Sequence, residues 1–387
     1  MIKRIIFLIQ QPFNLRDYKR FGIELLRQNG FGVEIWNLSP ILQPKLLQAY
    51  TPPDKLNCDG SIIFNDRLEM YYRLSNLSYS DFVMSIITYD FSTLEIYRAL
   101  TKSPADYAVS CANALPPSFL EENVFQKSFK RSISLRHPVV WRQLFMKLPL
   151  RYLGVKPASL ILAGGEESLT HHYPISKDSE ILQLHTLDYD LYLKEKDVPY
   201  VEKPIAVFLD EFLPFHPYYI LAKEDPPIGP DRYYQLLNNF FDLVEGKTGF
   251  EVVIAAHPRS NYEERPDYFK GRRHIRGKTI SLVKECQLVL NHSSTAINFA
   301  NLFYKPTIFI TCSDFERTYL DCRITNMAKW HGKKSIVMDK DNNIDVKKEL
   351  TVSKEDYNNY RRAYIKTEES QHLPFWQIVA NRLKKVM

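Results

Sequence analysis

No stretch of the 387-residue sequence reaches the run of about 18–20 apolar residues that a helix needs to cross a bilayer, which leaves no membrane span to assign. Cysteine is scarce: Cys58, Cys111, Cys286, Cys312 and Cys322 are scattered, odd in number and without a CxxC spacing. That removes a disulfide framework and a thiolate zinc site, and makes a reducing cytoplasm the expected compartment. His171, His172 and His185 have no partners at metal-ligand spacing, so no metal is expected. Repeats and low-complexity segments are absent. Aromatic residues reach 13% but are dispersed, and without an ordered basic–aromatic face no nucleic-acid partner is expected. One-signed charge is also missing. Lysine and arginine total 51 against 45 acidic residues, a formal excess of +6 that suits anionic substrates or a membrane surface without identifying either.

What is present is an ordinary globular mixture, 45% hydrophobic and 25% charged, in a chain long enough for two domains. The N-terminal MIKRIIFLIQQ has the basic start of a signal peptide. Its apolar run is too short for a span, however, and no small-residue cleavage site follows, so it reads as a buried strand. A helical pattern over Tyr18, Phe21, Gly22, Leu25 and Leu26 comes next, with Gly30 as its cap, and then a strand over Val33–Trp36. Strand–helix–strand is the opening of a doubly wound sheet. Further strands are expected at Phe82–Thr88, Tyr107–Ser110, Leu160–Ala163 and Ile181–Leu184, and Ser92 to Glu95 reads as a capping box.

Between Lys194 and Pro204 the charged, proline-bearing KEKDVPYVEKP suits a linker. A second series follows it: strands at Ala206–Leu209, Glu251–Ala255, Leu288–Leu290 and Thr307–Thr311, helices at Tyr233–Val244 and Ala296–Phe303, and helical periodicity over the last ~30 residues. The expected class is α/β, with two Rossmann-like doubly wound domains facing across a cleft, 1–195 on the acceptor side and 196–387 on the donor side. Ligands of such sheets sit beyond the carboxyl ends of the strands.

Three strand ends in the second half carry candidate chemistry. Asp210 and Glu211 follow the first strand and precede the run Leu213-Pro214-Phe215-His216-Pro217; a carboxylate there can act as general base or simply cap a turn. His257, Pro258 and Arg259 follow the second, where proline fixes the backbone and arginine suits a phosphate. Asn291, His292, Ser293, Ser294 and Thr295 follow the third and open a helix. Capping requires one of those hydroxyls, and a phosphate can use the others.

In this order, Asp210-Glu211, His257-Pro258 and Ser293-Ser294 resemble the D/E-D/E-G, HP and S-S/T motifs of bacterial GT-B sialyltransferases and related transferases of sialic, pseudaminic and legionaminic acids. The downstream TAINFANLFYKPTIFIT is similar to their donor-side helix and strand, and the match covers roughly residues 205–312. The resemblance implies a CMP-activated nonulosonic acid donor, a bacterial surface glycan or glycolipid acceptor, and direct transfer without metal or other cofactor. It implies Asp210 as base, His257 as the group stabilising the leaving phosphate, and Ser293 and Ser294 as its binders. The motif glycine is Phe212 here, so the backbone freedom of glycine is absent.

If the base has to come from the opposite domain, Asp210 becomes a donor-side residue, and Asp90, Glu166 and Asp188 are the candidates. Other readings remain open: a Kdo transferase using CMP-Kdo, a sugar-nucleotide epimerase, a polyol-phosphate transferase, or a noncatalytic glycan- or nucleotide-binding relative. The Gly164-Gly165-Glu166 turn and Asn113 are weaker ligand candidates. The basic stretch Arg131, Arg136, Arg142, Lys147, Arg151 and Lys156, mixed with Trp141, Phe145 and Met146, suits either a solvated face or peripheral contact with anionic lipid at the inner membrane face.

Overall fold

Continuous apolar runs generate the sheets, as expected for parallel strands covered on both faces. The computed structural model describes residues 1–50, 56, 58–117, 145, 148–169, 173–222, 224–341 and 343–385. These form two compact units. The first draws on the described residues within Met1–Ala114, Phe125–His185 and Glu369–Met387, the second on those within Leu115–Val124 and Thr186–Glu368.

In the first unit the strands are β1 (Arg4–Ile9), β2 (Gly32–Asn37), β3 (Ser61–Ile63), β4 (Asp81–Ile86), β5 (Asp106–Ser110), β6 (Leu160–Ala163) and β7 (Glu180–Gln183). They pair in the order β3-β2-β1-β4-β5-β6-β7, all parallel. The second unit holds β8 (Ile205–Leu209), β9 (Glu251–Ala256), β10 (His274–Arg276), β11 (Leu288–Asn291), β12 (Thr307–Thr311) and β13 (Ile336–Val337), ordered β10-β9-β8-β11-β12-β13 and again parallel. Counted within its own unit this is the 3-2-1-4-5-6 order of a dinucleotide-binding fold, and its strand order reverses between β8 and β11.

The helical pattern after β1 is split. Helices Leu15–Arg20 and Ile23–Gln28 meet at Gly22, whose φ of 58° is left-handed. The reason lies far along the chain. A Cβ on Gly22 would stand 2.4 Å from Cδ1 of Trp376. Trp376 belongs to the C-terminal helix Phe375–Lys384, donates its indole N–H to the Arg20 carbonyl (2.6 Å), and packs edge-on to Phe7 of β1 (5.2 Å between centroids). That helix therefore completes the first unit and not the second, where the 196–387 division had put it.

The boundary expected at 195 also moves. Helix Leu187–Glu195 packs with helix Ile297–Leu302 in the second unit, where Asn298 donates to Asp188 (3.1 Å). Asp188 thus belongs to the second unit, contrary to its expected place in the first. Lys284, only 1% exposed, binds the Glu195 and Val198 carbonyls and ties the start of the linker to this same unit.

The capping box over Ser92 to Glu95 does not form. Helix Leu94–Lys102 starts at Thr93, whose hydroxyl donates backwards to the Thr88 carbonyl (2.8 Å), while Glu95 pairs with Arg98 (2.6 Å).

Candidate functional site

Strands β9, β8 and β11 are neighbours in the sheet, so Ala256, Leu209 and Asn291 end side by side at its switch point. The three candidate segments leave from those ends and join through their first carboxylates. Asp210 is 3% exposed and reaches across to β9, accepting the His257 backbone N–H at 3.0 Å. It also accepts the Phe212 N–H (2.8 Å) and the Tyr262 hydroxyl, which lies 3.0 Å from both oxygens. Glu211, half-buried, reaches the other way to β11 and accepts both the Ser293 N–H (2.6 Å) and the Ser293 hydroxyl (3.0 Å).

The electrostatics follow from this placement. Burial pushes the Asp210 carboxyl up to about 6, against the pull of its hydrogen bonds from His257, Phe212 and Tyr262. Glu211 is also raised, chiefly by burial, although its bonds from Ser293 and the nearby Arg323 charge favour the ionised form. Burial and the Asp210 charge hold the Tyr262 phenol neutral, as a donor to that carboxylate.

Asp210 therefore has its oxygens committed to buried protein donors. A base must reach the hydroxyl it deprotonates. These contacts tie Asp210 to the HP loop and to the Tyr262 phenol, on the donor side. Glu211 is held against Ser293, at the loop where a leaving phosphate is expected.

The HP segment has the geometry of a donor. His257 Nδ1 accepts the Arg259 N–H (3.2 Å), so a neutral ring carries its proton on Nε2. Pro258 and Arg259 are half-buried beside it.

Of the third segment, Asn291 and His292 are fully buried. Asn291 accepts the Ser294 N–H (3.1 Å). His292 bridges the Ile310 carbonyl (2.6 Å) and the Tyr233 hydroxyl (3.2 Å), and burial lowers it to about 4. Both residues brace the loop from within. Ser294 is half-buried and Thr295 exposed, so these two present the accessible hydroxyls.

Phe212 departs from expectation in an informative way. Its φ of 54° and ψ of 35° lie in the left-handed region that glycine enters without penalty. The glycine is missing, yet its backbone conformation is adopted. The ring, 3% exposed, packs edge-on to Tyr262 (5.3 Å) and beneath the Arg265 guanidinium (5.3 Å), contacts that offset the strain. Sequence reasoning also missed Tyr262, the phenolic partner of Asp210, and the signal for it is only its position five residues beyond His257.

The other candidates have local work. Asp90 accepts from the Thr88 hydroxyl and from Ser92, forming a turn after β4. Gly164 is required by packing, because a Cβ there would lie 2.5 Å from the Ala112 carbonyl. Glu166 sits in the short 3-10 turn Glu166–Ser168, and Asn113 is exposed. His185 is buried and bonded to the Leu373 carbonyl (2.9 Å). Lys156 spends its ammonium on the Ser103 and Ala105 carbonyls. His171, His172, Arg131, Arg136, Trp141, Arg142, Met146 and Lys147 lie outside the described residues. Among the described residues, no group of three or more His, Cys, Asp or Glu side chains could hold a metal ion, and no helix is long and apolar enough to cross a membrane.

No family model and no curated protein matches the sequence. The fold does match solved structures along its whole length. The wall teichoic acid polymerase TagF aligns with a TM-score of 0.55 and 10% identity over 99% of this chain and 89% of that one. UDP-GlcNAc 2-epimerase of Methanocaldococcus jannaschii, solved with UDP-GlcNAc and UDP, gives 0.51 and 13% over the full length of both chains. The calicheamicin glycosyltransferase CalG4 gives 0.51 and 12% over 99% and 98%. The chain is thus an α/β protein of GT-B-like architecture, built from two Rossmann-like units.

Proposed function

We propose that this protein is a glycosyltransferase that takes an acidic nonulosonic sugar, of the sialic or pseudaminic type, from a CMP-sugar and passes it to a bacterial surface glycan or glycolipid. One observation carries the reading. The three segments that resemble sialyltransferase motifs are bonded to one another at the switch point of one sheet, Asp210 to His257 and Glu211 to Ser293. Ligands of such sheets bind at that place.

In this mechanism the cluster serves the leaving group. As the glycosidic bond breaks, negative charge grows on the CMP phosphate, and donors already in position stabilise it without reorganising. The His257 Nε2–H is the principal donor, with the Ser294 and Thr295 hydroxyls beside it. Asp210 and Glu211 hold the HP and serine loops in register. The carboxylate that deprotonates the acceptor then lies outside this cluster. No cofactor other than the donor substrate is required.

The test is CMP release from a panel of CMP-sugars with an acceptor present. His257→Ala should lower kcat by about 100-fold or more. Full turnover by that variant would remove the assignment. The fold shared with TagF and with UDP-GlcNAc 2-epimerase supports a second reading, a polyol-phosphate transferase or an epimerase, which a preference for CDP or UDP over CMP would establish.

The proposed setting is the cytoplasm, and the excess of +6 would favour peripheral contact with anionic lipid at the inner membrane face. Sedimentation with anionic vesicles at low salt, reversed at high salt, is the predicted behaviour; no sedimentation would dismiss the membrane contact.

A further inference from the structure

A second His-Pro dipeptide stands close to the first. His216-Pro217 follows β8, and His257-Pro258 follows β9. The two are built alike. In each, the backbone N–H two residues on donates to the histidine Nδ1: Tyr218 to His216 at 3.1 Å and Arg259 to His257 at 3.2 Å. The imidazole centroids lie 5.1 Å apart with the rings at 69°. Hydrogen bonding at Nδ1 fixes the tautomer of each neutral ring, leaving an N–H on Nε2 at the far end. Two adjacent imidazoles with the same enforced tautomer are more than packing requires, since a buried histidine needs one satisfied nitrogen pair and no matched neighbour.

We propose that His216 is a second phosphate-binding residue, and that its Nε2–H and that of His257 together receive the phosphate of the bound nucleotide beside Arg259. This deepens the leaving-group reading given above and rests on it. The half-buried His216 ring is kept neutral, pushed down to about 4 by burial and by the Arg259 charge, so it donates without carrying a charge of its own. A neutral His216 tolerates the close approach of the His257 ring, where two imidazolium ions would repel. Between Asp210 and His216, Phe212 is left-handed and packs edge-on to Tyr262, five residues beyond His257.

The experiment is calorimetric titration of the full chain with CMP, CDP and UDP and with cytidine and uridine, comparing wild type with His216→Ala, His216→Asn, His216→Gln and His257→Ala. A hydrogen bond to a charged phosphate accounts for roughly 10- to 100-fold in affinity. His216→Ala should weaken the preferred nucleotide by about that factor and leave its nucleoside unchanged, a split that loss of packing alone would not produce. Gln places an amide N–H near the Nε2 position and should recover binding, whereas the shorter Asn should not, which keeps the test valid if the alanine variant misfolds. If His216 variants bind the nucleotide as wild type does while His257→Ala loses it, His216 is not a phosphate ligand and the leaving-group site stands. If wild type binds none of the nucleotides, the functional reading falls together with this one.

Discussion

Asp210 is a carboxylate that the fold keeps at an energetic cost. Its raised pKa means that the folded state holds the proton more tightly than the unfolded chain. The resulting stability is complete below the unfolded value of 3.8 and is lost as pH rises through about 6. A difference of roughly two pH units corresponds to about 3 kcal/mol. Wild type should therefore lose about that much stability relative to Asp210→Asn between about pH 4 and pH 7, as read from paired urea denaturation curves. A constant difference across that range would show that the buried carboxyl is not titrating as described. Phe212 offers a second residue-level test. Truncating a buried phenylalanine costs about 3–5 kcal/mol. At a left-handed position, however, alanine carries a penalty of about 1 kcal/mol that glycine avoids. Phe212→Gly should therefore be the more stable of the two truncations, the reverse of the usual order, and equal stabilities would contradict the strain.

At the scale of elements, the C-terminal helix Phe375–Lys384 is bound to the first unit by the fit of Trp376 over Gly22. Gly22→Ala adds both a left-handed penalty and a collision with the indole, and should destabilise by about 2 kcal/mol or more. Trp376→Ala should cost about 3–5 kcal/mol. Hydrogen exchange should show helix Phe375–Lys384 losing protection in either variant, and unchanged protection would refute the packing account. This contact also explains what sequence alone conveys. Strands β8, β9 and β11 are legible because IAVFL, EVVIAA and LVLN are nearly continuous apolar runs, and the ends of those strands point to Asp210, His257 and Ser293. Edge strands β10 and β13 are three and two residues long, too short for any periodicity to register. The pairing of Gly22 with Trp376 joins residues at opposite ends of the chain, and local patterning carries no trace of it. The Phe212 conformation is hidden for a related reason, since it depends on Tyr262 and Arg265 and not on neighbours in sequence.

For the whole molecule, the 3-2-1-4-5-6 strand order of the second unit determines where chemistry can occur. It brings the ends of β9, β8 and β11 together, and the acidic pair between them bonds the HP and serine loops into one body. The proposed function organises this site around a departing nucleotide. The nucleotide proposed to leave carries a single phosphate on cytidine. Thermal denaturation of the full chain with saturating CMP, CDP or UDP tests this most directly. At a ligand concentration of about 100 times Kd, a bound ligand adds about 2.7 kcal/mol of apparent stability. CMP should raise the melting temperature of wild type and leave that of His257→Ala unchanged; stabilisation by UDP with none by CMP would overturn the CMP-donor proposal.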